Sequence, residues 1–324
     1  MNILVTGGAG FIGSHVCERL LSLGHKVIAV DNISGSPSAE SKRKNLADCL
    51  QNKDFRLHDE DIRDLKKMDW VFYKEKPEIV LHLGAKAGVR ESLANPELYR
   101  TINIDGTRNL LELSVKYKIK NFVFASSSSV YGTNSKVPFS ESDPLDNIAS
   151  PYAQTKKDGE LLCKEFHDRF GLNIICLRFF TVYGPRGRVD MAPYKFVDLI
   201  SKGEPIQVYM DEKEFEKGMM ARDFTYISDI VDGVILCLDK NFGFATFNLG
   251  RGQPVKLNEF ISVIEKCLGK KAKKQFVGRQ KGDVPITFAD TRKARKYLGY
   301  EPKVSLEEGV KALVEWYSST HHQA

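Results

Sequence analysis

The chain has 324 residues and is 42% hydrophobic, which excludes a disordered polymer and leaves apolar surface for one large or two coupled domains. A formal charge of +6 suits anionic ligands, yet no Lys/Arg block is long enough to indicate nucleic acid. Six cysteines (Cys17, Cys49, Cys163, Cys176, Cys237, Cys267) form no Cys-x-x-Cys pair, which argues against structural zinc and a disulfide framework.

The chain enters the apolar run Ile3-Leu4-Val5 at once, with neither a basic leader nor a long apolar segment, so a cytoplasmic protein with no membrane contact is expected. Short apolar runs follow at 27–30, 79–83, 122–125 and 174–177, and they predict strands buried on both faces of a parallel sheet. Segments of helical period lie between them, such as 11–23, stopped by Gly24, and 107–117. The alternation predicts an α/β fold, a doubly wound parallel sheet over residues 1–180. After Thr181 the texture changes, predicting a smaller α/β domain over 181–320, with helices at 194–201 and 257–268 and strands at 206–209 and 276–277. Residues 223–240 are apolar enough to return to the first domain. Lys270, Lys271, Lys273 and Lys274 read as a solvated loop.

Thr6-Gly-Gly-Ala-Gly-Phe-Ile-Gly13 follows the first predicted strand and opens the first helix, the context a dinucleotide fingerprint requires. Gly7 permits the tight turn, Gly10 admits a pyrophosphate, and Gly13 lets helix and strand approach; Phe11 and Ile12 begin the helix whose free N–H groups face the anion. Asp31 ends the second strand, where a carboxylate accepts both ribose hydroxyls and repels a 2′-phosphate, so NAD is favoured over NADP. Asn32 follows it. Asp61 is placed to accept the adenine amino group and Ile62 to cover the ring, the alternative for Asp61 being a helix cap. Leu83-Gly84-Ala85 is small enough for the cofactor backbone to pass.

Ser126 to Ser129 follow the fifth strand, at the crevice where ligands bind in this architecture. Tyr152 and Lys156 share a helix face one element later. A free phenol has a pKa of about 10, so about one in a thousand is ionised at pH 7. A cation at about 4 Å in an effective dielectric of about 20 contributes roughly 4 kcal/mol against about 1.4 per pKa unit, so Lys156 and a positive nicotinamide together are expected to bring Tyr152 toward neutrality. His82 ends a buried strand and reads as a satisfied core histidine. Glu141 and Asp143 read as paired surface carboxylates.

The glycine pattern, Asp31-Asn32, Asn103-x-x-Gly106-Thr107, the run from Ser126 ending in Val130-Tyr-Gly132, and Tyr152-x-x-x-Lys156 together resemble the extended short-chain dehydrogenase/reductase superfamily. Arg178-Phe-Phe-Thr-Val-Tyr-Gly-Pro-Arg-Gly-Arg-Val-Asp-Met-Ala192, with Ala221-Arg-Asp-Phe-Thr-Tyr-Ile227, looks most like the UDP-glucuronate 4-epimerases. The resemblance implies a homodimeric NAD enzyme. In it Tyr152 takes the proton of a sugar 4-hydroxyl, Lys156 supports Tyr152, Ser127 bonds the same oxygen, and Asn103 joins the cofactor site. Sister dehydratases and decarboxylases carry acids where this chain has Ser128 and Ser129, so those reactions are disfavoured. The resemblance further assigns Ser128, Ser129, Thr181 and Arg188 to a uronate carboxylate, and Asp190, Met191, Gln207 and Tyr209 to uridine. It gives Arg222 to the diphosphate, with Arg279 or Lys281 as the substitute for a second phosphate arginine, and Thr287 to a roomy sugar pocket. Gln280 stands where the family often has an Arg. UDP-glucose or UDP-N-acetylglucosamine epimerisation, and a catalytically silent NAD-binding scaffold, remain the alternatives.

Overall fold

The computed structural model describes residues 1–34, 38–278 and 284–321. Strands β1 (Asn2–Thr6), β2 (Lys26–Asp31), β3 (Phe55–Asp59), β4 (Ile79–His82), β5 (Asn121–Ser127) and β6 (Ile174–Phe179) form one seven-stranded sheet with Phe244–Leu249. The order is Phe244–Leu249, β6, β5, β4, β1, β2, β3, with every pair parallel. The order reverses between β1 and β4, which opens the ligand crevice of a doubly wound sheet there.

Strand residues alternate between the two faces, and the two buried clusters follow that alternation. Ile3, Val5, Val27, Ala29, Leu81, Val123, Ile175 and Leu177 join one; Leu4, Ile28, Val30, Val80, Phe122, Phe124, Ile174 and Cys176 join the other. The second face is covered by helices Leu65–Glu75, Gly106–Lys116 and Pro151–Phe170. Gly159 lets the last of these sit close, since a Cβ there would lie 2.5 Å from the Phe124 ring.

More of the C-terminal half returns to this sheet than the expected 223–240. Helices Ile227–Ile235 and Arg292–Leu298 pack in the first cluster, and Phe244–Leu249 is an edge strand of the sheet itself. The smaller unit keeps its own core, in which Phe224 and Phe260 stack with ring centroids 4.0 Å apart. Its helix spans Ala192–Lys202, and strands Pro205–Val208 and Lys273–Phe276 pair in parallel. Lys273 and Lys274 therefore belong to a strand rather than a loop, with Lys271 and Lys274 bound to the Glu265 carboxylate. Among the described residues no helix is long and apolar enough to cross a membrane.

Candidate active site

The glycine turn is built for close approach. Gly7 has φ +68°, and a Cβ there would lie 2.7 Å from the Gly84 backbone across the β1/β4 crevice. A Cβ on Gly13 would come within 2.0 Å of the Gly7 carbonyl. The Phe11–Ser22 helix starts at Gly10, which supplies no side-chain cap, so its first N–H groups stay open to an anion. These features fit a bound pyrophosphate.

Asp31 is 7% exposed; it accepts from the Ala9 amide at 2.9 Å and from the Lys42 ammonium at 2.7 Å. Lys42 also reaches the Asn32 carbonyl at 3.1 Å. Asp61 is held by Arg63 and by the Asn32 amide at 3.0 Å, and the Arg63 hydrogen bonds keep its carboxyl below the usual carboxylate range. It does not cap the next helix, a task that falls to Asp64. Ile62 is buried against the position of Gly106. Leu83, Gly84 and Ala85 line the crevice end of β4, where the Gly84 amide donates to Thr6 Oγ1 at 3.1 Å.

Asn103, the residue expected at the cofactor site, is engaged within the protein through its side chain. It lies in a π-helical turn, Thr101–Asp105, and its amide is spent within the protein on Lys86 and on the Thr155 hydroxyl at 2.9 Å. It thereby ties the loop after β4 to the Pro151–Phe170 helix. His82 bonds the Thr6 and Thr107 hydroxyls at 2.7 and 2.8 Å, and burial pushes its pKa down to about 3, so it is a neutral core residue.

Ser150 caps the Pro151–Phe170 helix through the Ala153 amide, and Pro151 starts it, which places Tyr152 in the first turn and Lys156 one turn on. Tyr152 keeps part of its surface open, and Tyr99 meets its ring edge-on at 6.3 Å. Burial raises the Tyr152 phenol above its ordinary pKa, while hydrogen bonding to Ser127 and the Arg188 charge oppose the rise. The shift toward neutrality was expected from Lys156 and a positive nicotinamide together, and the protein groups by themselves do not produce it. The Lys156 ammonium is directed to the Ala125 carbonyl at 2.6 Å, and burial lowers its pKa to about 8.

Ser127 accepts from the Ser129 amide at 3.2 Å and opens the turn Ser128–Tyr131. Among the described residues the Ser129 hydroxyl is buried without a hydrogen-bond partner. Thr181 starts the short strand Thr181–Tyr183, beside Phe224. Arg188 pairs with Asp190 at 2.5 Å and donates to the Ala87 carbonyl at 3.2 Å, so the loop arginine reaches the dinucleotide domain. Met191 caps the Ala192–Lys202 helix at its exposed end. Tyr209 donates to Gln207 at 2.7 Å. Arg222 and Thr287 are paired in register on adjacent short strands. Arg279, Gln280 and Lys281 lie outside the described residues.

Several participants carry no local sequence signal. Arg90 reaches across the cleft to place its guanidinium 4.5 Å over the Tyr209 ring. Arg186, at φ +62°, pairs with Glu18 on the first helix. Lys42, bound to Asp31, was missed as well, and the basic run Lys42-Arg-Lys44 close behind Asp31 is the signal that could have found it. Glu141 and Asp143 are not a surface pair: Glu141 accepts from the Asn248 amide, and Asp143 is 7% exposed and bound to Lys136.

A glycine-turn sheet whose crevice meets a Tyr-x-x-x-Lys helix and a serine turn defines a short-chain dehydrogenase/reductase. The family model described as GDP-mannose 4,6 dehydratase matches residues 4–313. A UDP-glucuronate 4-epimerase of Thermodesulfobacterium geofontis is 43% identical over 97% of this chain and 95% of its own length. UDP-glucuronic acid 4-epimerase from Bacillus cereus, solved with UDP-glucuronic acid and NAD, superposes with a TM-score of 0.90 at 37% identity, covering 99% of this chain and 100% of that one. UDP-glucose 4-epimerase of Thermotoga maritima, solved with UDP-glucose, gives 0.89 at 35% identity, with 99% of both chains covered. The chain belongs to the extended short-chain dehydrogenase/reductase family, and within it to the NAD-dependent nucleotide-sugar epimerases.

Proposed function

We propose that this protein epimerises UDP-glucuronate at C4, giving UDP-galacturonate. The observation that carries the sugar assignment is the hydroxyl row at the crevice. Ser129 presents a buried Oγ that none of the described residues satisfies, Ser128 stands beside it, and neither position holds a carboxylate. A buried hydroxyl without a partner is costly, and a uronate carboxylate supplies the missing acceptor. Thr181 and Arg188 complete a donor set of the right sign.

The residues divide the work as follows. Tyr152 takes the proton of the sugar 4-hydroxyl, and Ser127 bonds the same oxygen so that it stays aligned as the carbonyl forms. NAD held at the glycine turn would supply reversible hydride acceptance at C4, and once the keto sugar has turned over in the pocket, hydride return to its opposite face would invert the centre with no net oxidation. The 4-keto uronate is a β-keto acid and is prone to lose CO₂. Hydroxyl donors that fix the carboxylate keep the breaking bond out of line with the ketone. Arg222 supplies a charge-assisted contact for the diphosphate, with Gln207 and Tyr209 toward uridine. Solvent-exposed Leu161, Leu93 and Leu98 support a homodimer, which sedimentation would test.

UDP-glucose is the second reading, supported by the Thermotoga neighbour. The experiment incubates the purified protein and NAD with UDP-glucuronate, UDP-glucose and UDP-N-acetylglucosamine separately and resolves the products. Turnover of UDP-glucose with UDP-glucuronate untouched would overturn the assignment. Absence of turnover with all three would leave a silent scaffold.

A further inference from the structure

A row of buried polar side chains crosses the sheet at its crevice end. Ser126, Arg178 and Asn248 are direct neighbours in register across β5, β6 and Phe244–Leu249, and they are 3%, 4% and 0% exposed. Glu160, 7% exposed, stands on the helix above them, one turn beyond Lys156 and two beyond Tyr152. Its Oε1 accepts from the Ser126 hydroxyl at 2.5 Å and from Arg178 Nε at 2.9 Å, and its Oε2 accepts from Arg178 Nη2 at 2.7 Å. Arg178 Nη1 donates to the Tyr131 hydroxyl at 3.0 Å, which donates to Asn248 Oδ1 at 2.6 Å. Asn248 in turn donates to the Phe139 carbonyl at 2.8 Å.

A buried ion pair is weak evidence of stability, because apolar side chains of equal volume serve as well or better once the loss of hydration is counted. What the pair supplies is direction. Ser126 is the residue before Ser127, and Tyr131 closes the turn that carries Ser128 and Ser129. Both ends of the hydroxyl row are therefore tied to one Glu160–Arg178 unit, and Glu160 is rigidly joined to the helix that carries Tyr152. Each link is short and fully buried, so solvent does not compete for it.

We propose that Glu160 and Arg178 are positioning residues that hold the Ser127–Ser129 hydroxyls at their working distance from Tyr152. The mechanism above does not use either side chain. A displacement of about 1 Å at such a site costs on the order of 100-fold in rate, whereas remote binding contacts are left intact.

The test is the paired variant Glu160→Leu/Arg178→Met, which removes both charges together so that neither is stranded. It is assayed with whichever UDP-sugar the wild type turns over, so a wrong sugar assignment leaves the test intact. The expected result is a kcat lower by about 100-fold, with KM and NAD affinity near wild type. Adding Ser127→Ala should then cost far less than it does in the wild type, because the hydroxyl has already left its place. A paired variant with wild-type kcat, or a Ser127→Ala cost that is unchanged in it, overturns the proposal. Should the paired variant fail to fold, Ser126→Ala leaves the ion pair whole and cuts only the link to β5. It is expected to lower kcat about tenfold at unchanged KM, and wild-type kcat in it overturns the proposal equally.

Discussion

The Lys156 ammonium donates to the Ala125 carbonyl at 2.6 Å, which moors the catalytic helix to the end of β5. The same cation lies 5.0 Å above the Phe124 ring. Burial lowers its pKa to about 8, so it is charged at neutral pH and gives up its proton as pH rises through that value. Activity is expected to fall on the alkaline side near pH 8, with that falling limb absent in Lys156→Met. A pH profile of kcat/KM checks this.

Tyr152→Phe removes the proton acceptor and leaves the aromatic packing against Tyr99 in place. The expected loss in kcat is about 10²–10⁴-fold, with NAD binding and melting temperature unchanged. Unaltered turnover would rule out Tyr152 as the base.

Thr181→Asn replaces the short hydroxyl that starts the strand Thr181–Tyr183 with a longer amide. The ratio of kcat/KM for UDP-glucuronate over UDP-glucose is expected to drop at least tenfold, about 1.4 kcal/mol of discrimination. A ratio that does not move would detach Thr181 from the carboxylate.

His82 gives a stability prediction whose sign is fixed by its burial. Unfolded, it binds a proton below 6.5; folded, it refuses one until about 3. The unfolded chain therefore holds more protons across that window, and stability drops as pH falls from 6.5 toward 3, by up to about 1.4 kcal/mol per pH unit for this one group. His82→Gln keeps a donor and an acceptor for Thr6 and Thr107 and should lose less stability than the wild type between pH 6.5 and 5. Equal losses in urea titrations at the two pH values would contradict it.

Gly13→Ala forces a Cβ to within 2.0 Å of the Gly7 carbonyl, a backbone atom that has nowhere to go. The helix must shift, at a cost of about 1–3 kcal/mol, or about 1.5 °C in melting temperature for each kcal/mol in a chain of this size. NAD binding should weaken with it, which a titration would reveal.

The elements that the sequence made legible are those with short-range causes. Continuous apolar runs marked β1, β2, β4, β5 and β6, because a strand covered on both faces has no polar position to spare. Gly7, Gly10 and Gly13 marked the turn, because backbone contact there leaves no room for a side chain. The return of Phe244–Leu249 and Arg292–Leu298 to the sheet was not legible. Their burial depends on pairing with β6 and packing beside Ile227–Ile235, and no local pattern encodes a partner so distant in the chain.

The catalytic group divides along the same line. Residue type and spacing, with the family resemblance they carry, pointed to Ser127, Tyr152 and Lys156 as one group beside a dinucleotide turn. Only the tertiary structure decided how they are charged and held. It directed Lys156 to Ala125 instead of the phenol, brought Arg188 from a later loop to act on Tyr152, and spent Asn103 on Lys86 and Thr155. Electrostatics and hydrogen bonding depend on distances of a few ångströms between residues far apart in sequence, and the fold alone sets those distances.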